Sequence, residues 1–86
     1  MTMEYLKPVK CDCLYSDTQE VTTIDTHGLV AQIKTSADIM ISVDGEFMGG
    51  YCYFITPDET FRFSGSVKIQ AKSGSAYIYV MYFDAV

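Results

Sequence analysis

The side chains that most often carry chemistry are few in this sequence and stand apart. Its single histidine, His27, precedes Gly28 in a segment rich in turn formers. A Ser-His-Asp arrangement would have to be assembled from residues that already have turn roles, so His27 reads as a turn histidine. Four of the acids form two small groups, Asp44 with Glu46 and Asp58 with Glu59, on either side of one strand candidate at 51–55. With consecutive strands antiparallel, those turns lie at opposite ends of a sheet. That is too far apart for a shared general acid and base or a shared Ca²⁺, and Asp44-Gly45-Glu46 alone is too short for an EF-hand loop. Gly49-Gly50 precedes a strand, not a helix, so it lacks the helix N-terminus that cradles phosphate and reads as a bulge or hairpin feature.

Cys11, Cys13 and Cys52 make an odd count. Cys11 and Cys13 are two apart, a spacing awkward for an unstrained bridge and unlike the C-x-x-C of zinc and redox motifs. Three readings follow. The plainest is free thiols made in a reducing cytoplasm. The second is an intersubunit disulfide involving Cys11, Cys13 or Cys52, formed once an oligomer or particle has left the cell. The third is a three-thiolate metal site completed by His27, an acid or a neighbouring copy. No catalytic constellation, cofactor motif or recognised metal motif emerges, and the expectation is a protein that is not an enzyme.

Length and charge narrow the remaining classes. The chain has 86 residues, 49% hydrophobic and 14% aromatic, with six basic against eleven acidic side chains and a net charge of -5. This is one small domain, too apolar and too weakly charged for wholesale disorder. Surface scaling buries only roughly 63% of such a chain, the marginal end of independent stability. No apolar run exceeds 76–83, against the ~18 residues of a spanning helix, and no charged-then-apolar leader opens the sequence, so neither a membrane protein nor an exported precursor is expected. An acidic pI near 4.5 and basic residues that form no run leave little for phosphate neutralisation, so nucleic acid is not an expected partner.

From Val21 onward the sequence is rich in Val, Ile, Tyr, Phe and Thr in short runs broken by Gly, Asp, Ser and Pro, the pattern of strands and turns. The strand candidates are 21–24, 29–35, 38–43, 51–55, 60–63, 67–72 and 76–83, with turn residues at each boundary. Seven short strands predict an all-β fold, a small antiparallel β-sandwich or jelly-roll-like barrel over 21–86. Residues 1–20 sustain no period and read as an extended N-terminal arm. Alternation assigns faces: Leu29, Ala31 and Ile33 to the core opposite Gln32 and Lys34, Ile39, Ile41 and Val43 opposite Met40 and Ser42, and Val67, Ile69 and Ala71 opposite Lys68, Gln70 and Lys72.

The last strand breaks this rule. Ala76, Ile78, Val80 and Tyr82 serve the core, yet the opposite side carries Tyr77, Tyr79, Met81 and Phe83. A strand apolar on both sides is covered on both, and little chain is left to do it. Either the arm, with Tyr5, Leu6, Val9, Leu14 and Tyr15, folds over this stripe, or a second subunit does. Tyr and Met favour an interface.

The succession Ile39-Met40-Ile41-Ser42-Val43-Asp44-Gly45, Gly50-Tyr51-Cys52-Tyr53-Phe54-Ile55, Glu59-Thr60-Phe61-Arg62-Phe63 and Val67-Lys68-Ile69-Gln70-Ala71-Lys72, closing on Ser75-Ala76-Tyr77-Ile78-Tyr79-Val80, resembles small accessory virion proteins of tailed bacteriophages. These include capsid decoration (cement) proteins and head or tail accessory proteins, often β-sandwiches working as trimers or higher oligomers. The resemblance covers about residues 21–83 and leaves Cys11 and Cys13 outside it. It implies a virion structural protein made in the host cytoplasm, a homo-oligomer with a trimer favoured, whose partners are major capsid or tail proteins. In that reading Tyr77, Tyr79, Met81 and Phe83 form the oligomer interface and the arm grips a neighbour. The alternative is a β-sandwich binding module for a host glycan or receptor, using exposed tyrosines and the 44–50 loop.

Overall fold

The computed structural model describes residues 6–47 and 52–85, and all regular structure among them is strand. In chain order these are β1 (Leu6–Asp17), β2 (Thr22–Thr35), β3 (Ile39–Ser42), β4 (Tyr53–Ile55), β5 (Phe61–Ala71) and β6 (Ser75–Ala85). They form one antiparallel sheet in the order β1-β6-β2-β5-β3-β4.

A bend shared by the neighbours β2 and β5 turns this sheet into two layers. β2 pairs with β5 in two stretches, Thr22–Asp25 against Ser66–Ile69 and Val30–Ile33 against Phe61–Ser64, with the register shifted between Asp25 and Val30. Within the shift, His27 (φ 49°) and Gly28 (φ 85°) take the left-handed backbone, and Gly65 across from them has φ 108°. Local hydrogen bonds hold the bend. The His27 N–H donates to Asp25 Oδ1 (2.9 Å), the Gly65 N–H to Thr26 Oγ1 (2.7 Å), and Ser64 Oγ to the Leu29 carbonyl (2.9 Å). The extra residues flip the inward parity of β2, from Ile24 and Thr26 before the bend to Ala31, Ile33 and Thr35 after it.

One layer is therefore β1, β6, the second half of β2 and the start of β5. The other is the first half of β2, the rest of β5, β3 and β4. Contacts across the middle confirm the folding: the Ala71 N–H donates to Ser16 Oγ at 3.1 Å although β6 and β2 stand between β1 and β5 in the sheet. The Tyr53 ring on β4 lies 6.2 Å from that of Phe61. The result is sandwich-like, with bent strands serving both layers. Ile33, Ile39, Ile69 and Ile78, all 0% exposed, lie at its centre, each worth about 1.5–3 kcal/mol by transfer from water.

All-β, antiparallel architecture is thus as expected, but the described residues hold six strands, not seven. The candidates 21–24 and 29–35 are one strand, β2, because His27-Gly28 makes a bulge and not a reversal. Likewise 60–63 and 67–72 are joined as β5 through Ser64-Gly65. The arm expected over 1–20 supplies the sixth strand: Leu6–Asp17 pairs with β6 along its whole length. It lies beside the last strand in the sheet and does not fold over it. Val43, expected inside, is 79% exposed, while Ser42 is buried with its hydroxyl donating to Asp44 Oδ1 (2.9 Å) and accepting from the Gly45 N–H (3.1 Å). Tyr5, the Gly49-Gly50 feature and Tyr51 lie outside the described residues.

Candidate functional site

The site follows from strand parity. Ala76, Ile78, Val80 and Tyr82 are buried, so the odd-numbered residues of β6 point outward, and antiparallel register sets their partners opposite. On the β1 side these are Tyr15 opposite Tyr77, Cys13 opposite Tyr79 and Cys11 opposite Met81. On the β2 side they are Lys34 opposite Tyr79, Gln32 opposite Met81 and Val30 opposite Phe83. The two-faced strand is thus the middle row of a three-row outer surface.

Its upper part is aromatic. The Tyr15 and Tyr77 rings meet edge to face, centroids 5.7 Å apart at 65°, and Tyr15, Tyr77 and Tyr79 remain just over half exposed. Below them Cys11 Sγ comes within 3.2 Å of Met81 Sδ. Cys11, Cys13, Tyr79 and Met81 line a shallow groove bordered by Gln32 and Lys34. Its polar lining is Asp12, between the two cysteines on β1, and Gln32 and Lys34 on β2, where Arg62 Nη2 donates to Gln32 Oε1 at 2.7 Å. Such a surface can exclude water against another apolar surface.

Of the residues expected in the arm, Tyr15 joins this surface, Leu14 turns inward and packs on the core, Leu6 is half-buried, and Val9 is exposed at the bulge between Pro8 and Lys10. Met81 and Phe83 are half-buried by their neighbours. Cys52 lies apart from the other thiols, half-buried with Sγ 3.4 Å from the Phe47 carbonyl, and all three cysteines are free. The expected interface therefore gains Tyr15, Cys11 and Cys13 as direct neighbours. The signal was there in Cys11-Asp12-Cys13-Leu14-Tyr15-Ser16, which alternates outward and inward, but Pro8 and the charges around it hid the period.

Elsewhere the acids serve turns. Asp17 Oδ1 accepts from the Gln19 and Glu20 N–H groups, and Glu59 Oε1 accepts from Thr56 N–H and Oγ1. Asp44 Oδ1 accepts from the Glu46 N–H at 3.0 Å, and this bond with the Ser42 hydroxyl holds its carboxyl below the usual carboxylate value. Since β3 and β4 are antiparallel, the turns holding Asp44 and Asp58 lie at opposite ends of that pair. The His27 side chain is 81% exposed, with Nδ1 3.8 Å from Asp25 Oδ1 and no other ion-pair partner among the described residues. Tyr82 is held above its ordinary value, first by burial and then by Asp12 and Asp25.

Comparison with family models, with curated proteins and with solved structures finds no match to this chain.

Proposed function

We propose that this chain is a non-enzymatic structural protein that self-associates and binds neighbouring proteins through the outer surface of β1 and β6. The observation that carries this reading is the ladder of Tyr15, Cys13, Cys11, Tyr77, Tyr79 and Met81, apolar, continuous and uncovered by the described residues. An exposed row of that kind, with polar residues at its border, is the ordinary form of a protein contact. The face, not the strand edge, is the contact we favour. Lys7, Pro8, the bulge and Lys10 blunt the first half of β1 as an edge.

The setting we assign, a tailed-phage virion with a decoration, cement or head or tail accessory role, rests on the resemblance of residues 21–83 to such proteins. A trimer is the oligomer that resemblance favours, and major capsid or tail proteins are the partners. Two observations test this reading. Light scattering is expected to give a defined oligomer, and a stable monomer at high concentration contradicts it. The coding sequence is expected among capsid and tail genes, and a place among unrelated genes contradicts the virion setting.

A second reading, glycan binding, is favoured by Tyr53, which is 71% exposed and whose ring adjoins Phe61 beside a small pocket lined by Ser42 and Asp44. Glycan-array binding lost in Tyr53→Ala supports it; silence of the wild-type protein on such arrays removes it.

A further inference from the structure

Two sulfur atoms, Cys11 Sγ and Met81 Sδ, meet on the outer face of β1 and β6, and a third, that of Cys13, lines the same groove. Cys11 and Cys13 are separated by one residue in a strand, so both side chains leave the same side, with Cα atoms about 6.6 Å apart at ~3.3 Å rise per residue. Both thiols are exposed and free. Met81 stands directly across from Cys11, its Sδ 3.2 Å from Cys11 Sγ, and all three residues line one groove with Lys34 at its border.

The donor types select the ligand. Thiolate and thioether are soft donors that favour Cu(I), whereas Ca²⁺ and Mg²⁺ want oxygen. Structural zinc takes four ligands from Cys, His and carboxylate. Among the described residues no three His, Cys, Asp or Glu side chains converge, so a harder ion finds no set here. Three donors are reached only by counting the thioether. Methionine's flexible side chain lets Sδ adjust to a shared ion. Two thiolates and one monovalent cation leave a charge of −1 in a groove that also holds the Lys34 ammonium and the Asp12 carboxylate, the latter 4.0 Å from the Lys10 ammonium.

We propose that Cys11, Cys13 and Met81 form a surface site for one Cu(I) ion, held by two thiolates and one thioether. On binding, three S–Cu bonds form and two thiol protons pass to solvent. Copper enters already reduced, and nothing changes oxidation state. This site is independent of the self-association reading, although Cys11, Cys13 and Met81 belong to both; copper binding is measured on dilute protein and association on metal-free protein, so one can fail without the other.

The test is an anaerobic titration of the full chain with Cu(I) against a chromophoric Cu(I) chelator, in a Cys52→Ser background that leaves only the two thiols in question. One equivalent is expected to be retained, with X-ray absorption showing sulfur scatterers alone. Even outer-shell partners are worth about 10–100-fold in metal affinity, so Met81→Leu is expected to weaken binding at least about tenfold. Cys11→Ser or Cys13→Ser should abolish retention. Because these residues are at or near the surface, circular dichroism of each variant is expected to match the parent. No retention by the parent, or retention unchanged by Met81→Leu or by either serine variant, overturns the proposal. So does a Cys11–Cys13 disulfide that persists under reductant and leaves no thiolates.

Discussion

Tyr15 and Tyr77 are direct cross-strand partners, one from the first strand and one from the last, and their rings pack edge to face at 5.7 Å. This pair ties the N-terminal segment to the sheet. Aromatic pairs of this geometry contribute about 0.5–1.5 kcal/mol beyond area burial. A double-mutant cycle with Tyr15→Ala and Tyr77→Ala, read by urea denaturation, should return a coupling in that range. Strict additivity would mean that the two rings are not in contact in solution.

The bend at His27-Gly28 makes a second prediction. A Cβ at Gly28 meets nothing within 4 Å, so Gly28→Ala is penalised only for its φ of 85°, about 1–2 kcal/mol. Thr26→Val keeps the buried shape but removes the acceptor for the Gly65 N–H, at a cost of about 1–3 kcal/mol. Chemical denaturation measures both. If neither change lowers the midpoint, the bend is not what joins the two layers.

Tyr82 predicts an alkaline limit. Its ionisation is pushed upward in the folded protein, chiefly by burial, so its contribution is fully present below the unfolded value near 10 and is lost as pH rises through the folded value. Thermal melts between about pH 9 and pH 11.5 should fall more steeply for the parent than for Tyr82→Phe, which keeps the ring. Parallel curves would contradict the burial of this side chain in solution.

Much of this architecture was legible in the sequence, and the errors share a cause. Alternation located Ile33, Ile69 and Ile78 in the core and exposed the two-sided character of 76–83, because side-chain parity holds within each stretch of strand between bulges. What local pattern could not separate was a bulge from a reversal. His27-Gly28 and Ser64-Gly65 carry turn residues, but whether the chain reverses there or bends depends on partners 35 or more positions away, such as Thr26 bonding Gly65 and Ser64 bonding Leu29. The N-terminal strand was hidden for a related reason. Its side chains alternate from Cys11 to Ser16, yet Lys, Asp and Cys look like a tail until Tyr77, Tyr79 and Met81 are set beside them. Of the candidate site, the β6 half was readable; the β1 half needed the register.

Self-association through the outer face of β1 and β6 is tested most directly by sedimentation velocity over a concentration series, on metal-free, reduced protein. The account predicts a defined oligomer for the parent and a folded monomer for the Tyr79→Ser, Met81→Ser double variant, with its circular dichroism spectrum intact. A parent that stays monomeric throughout, or a variant that associates as tightly as the parent, would contradict it.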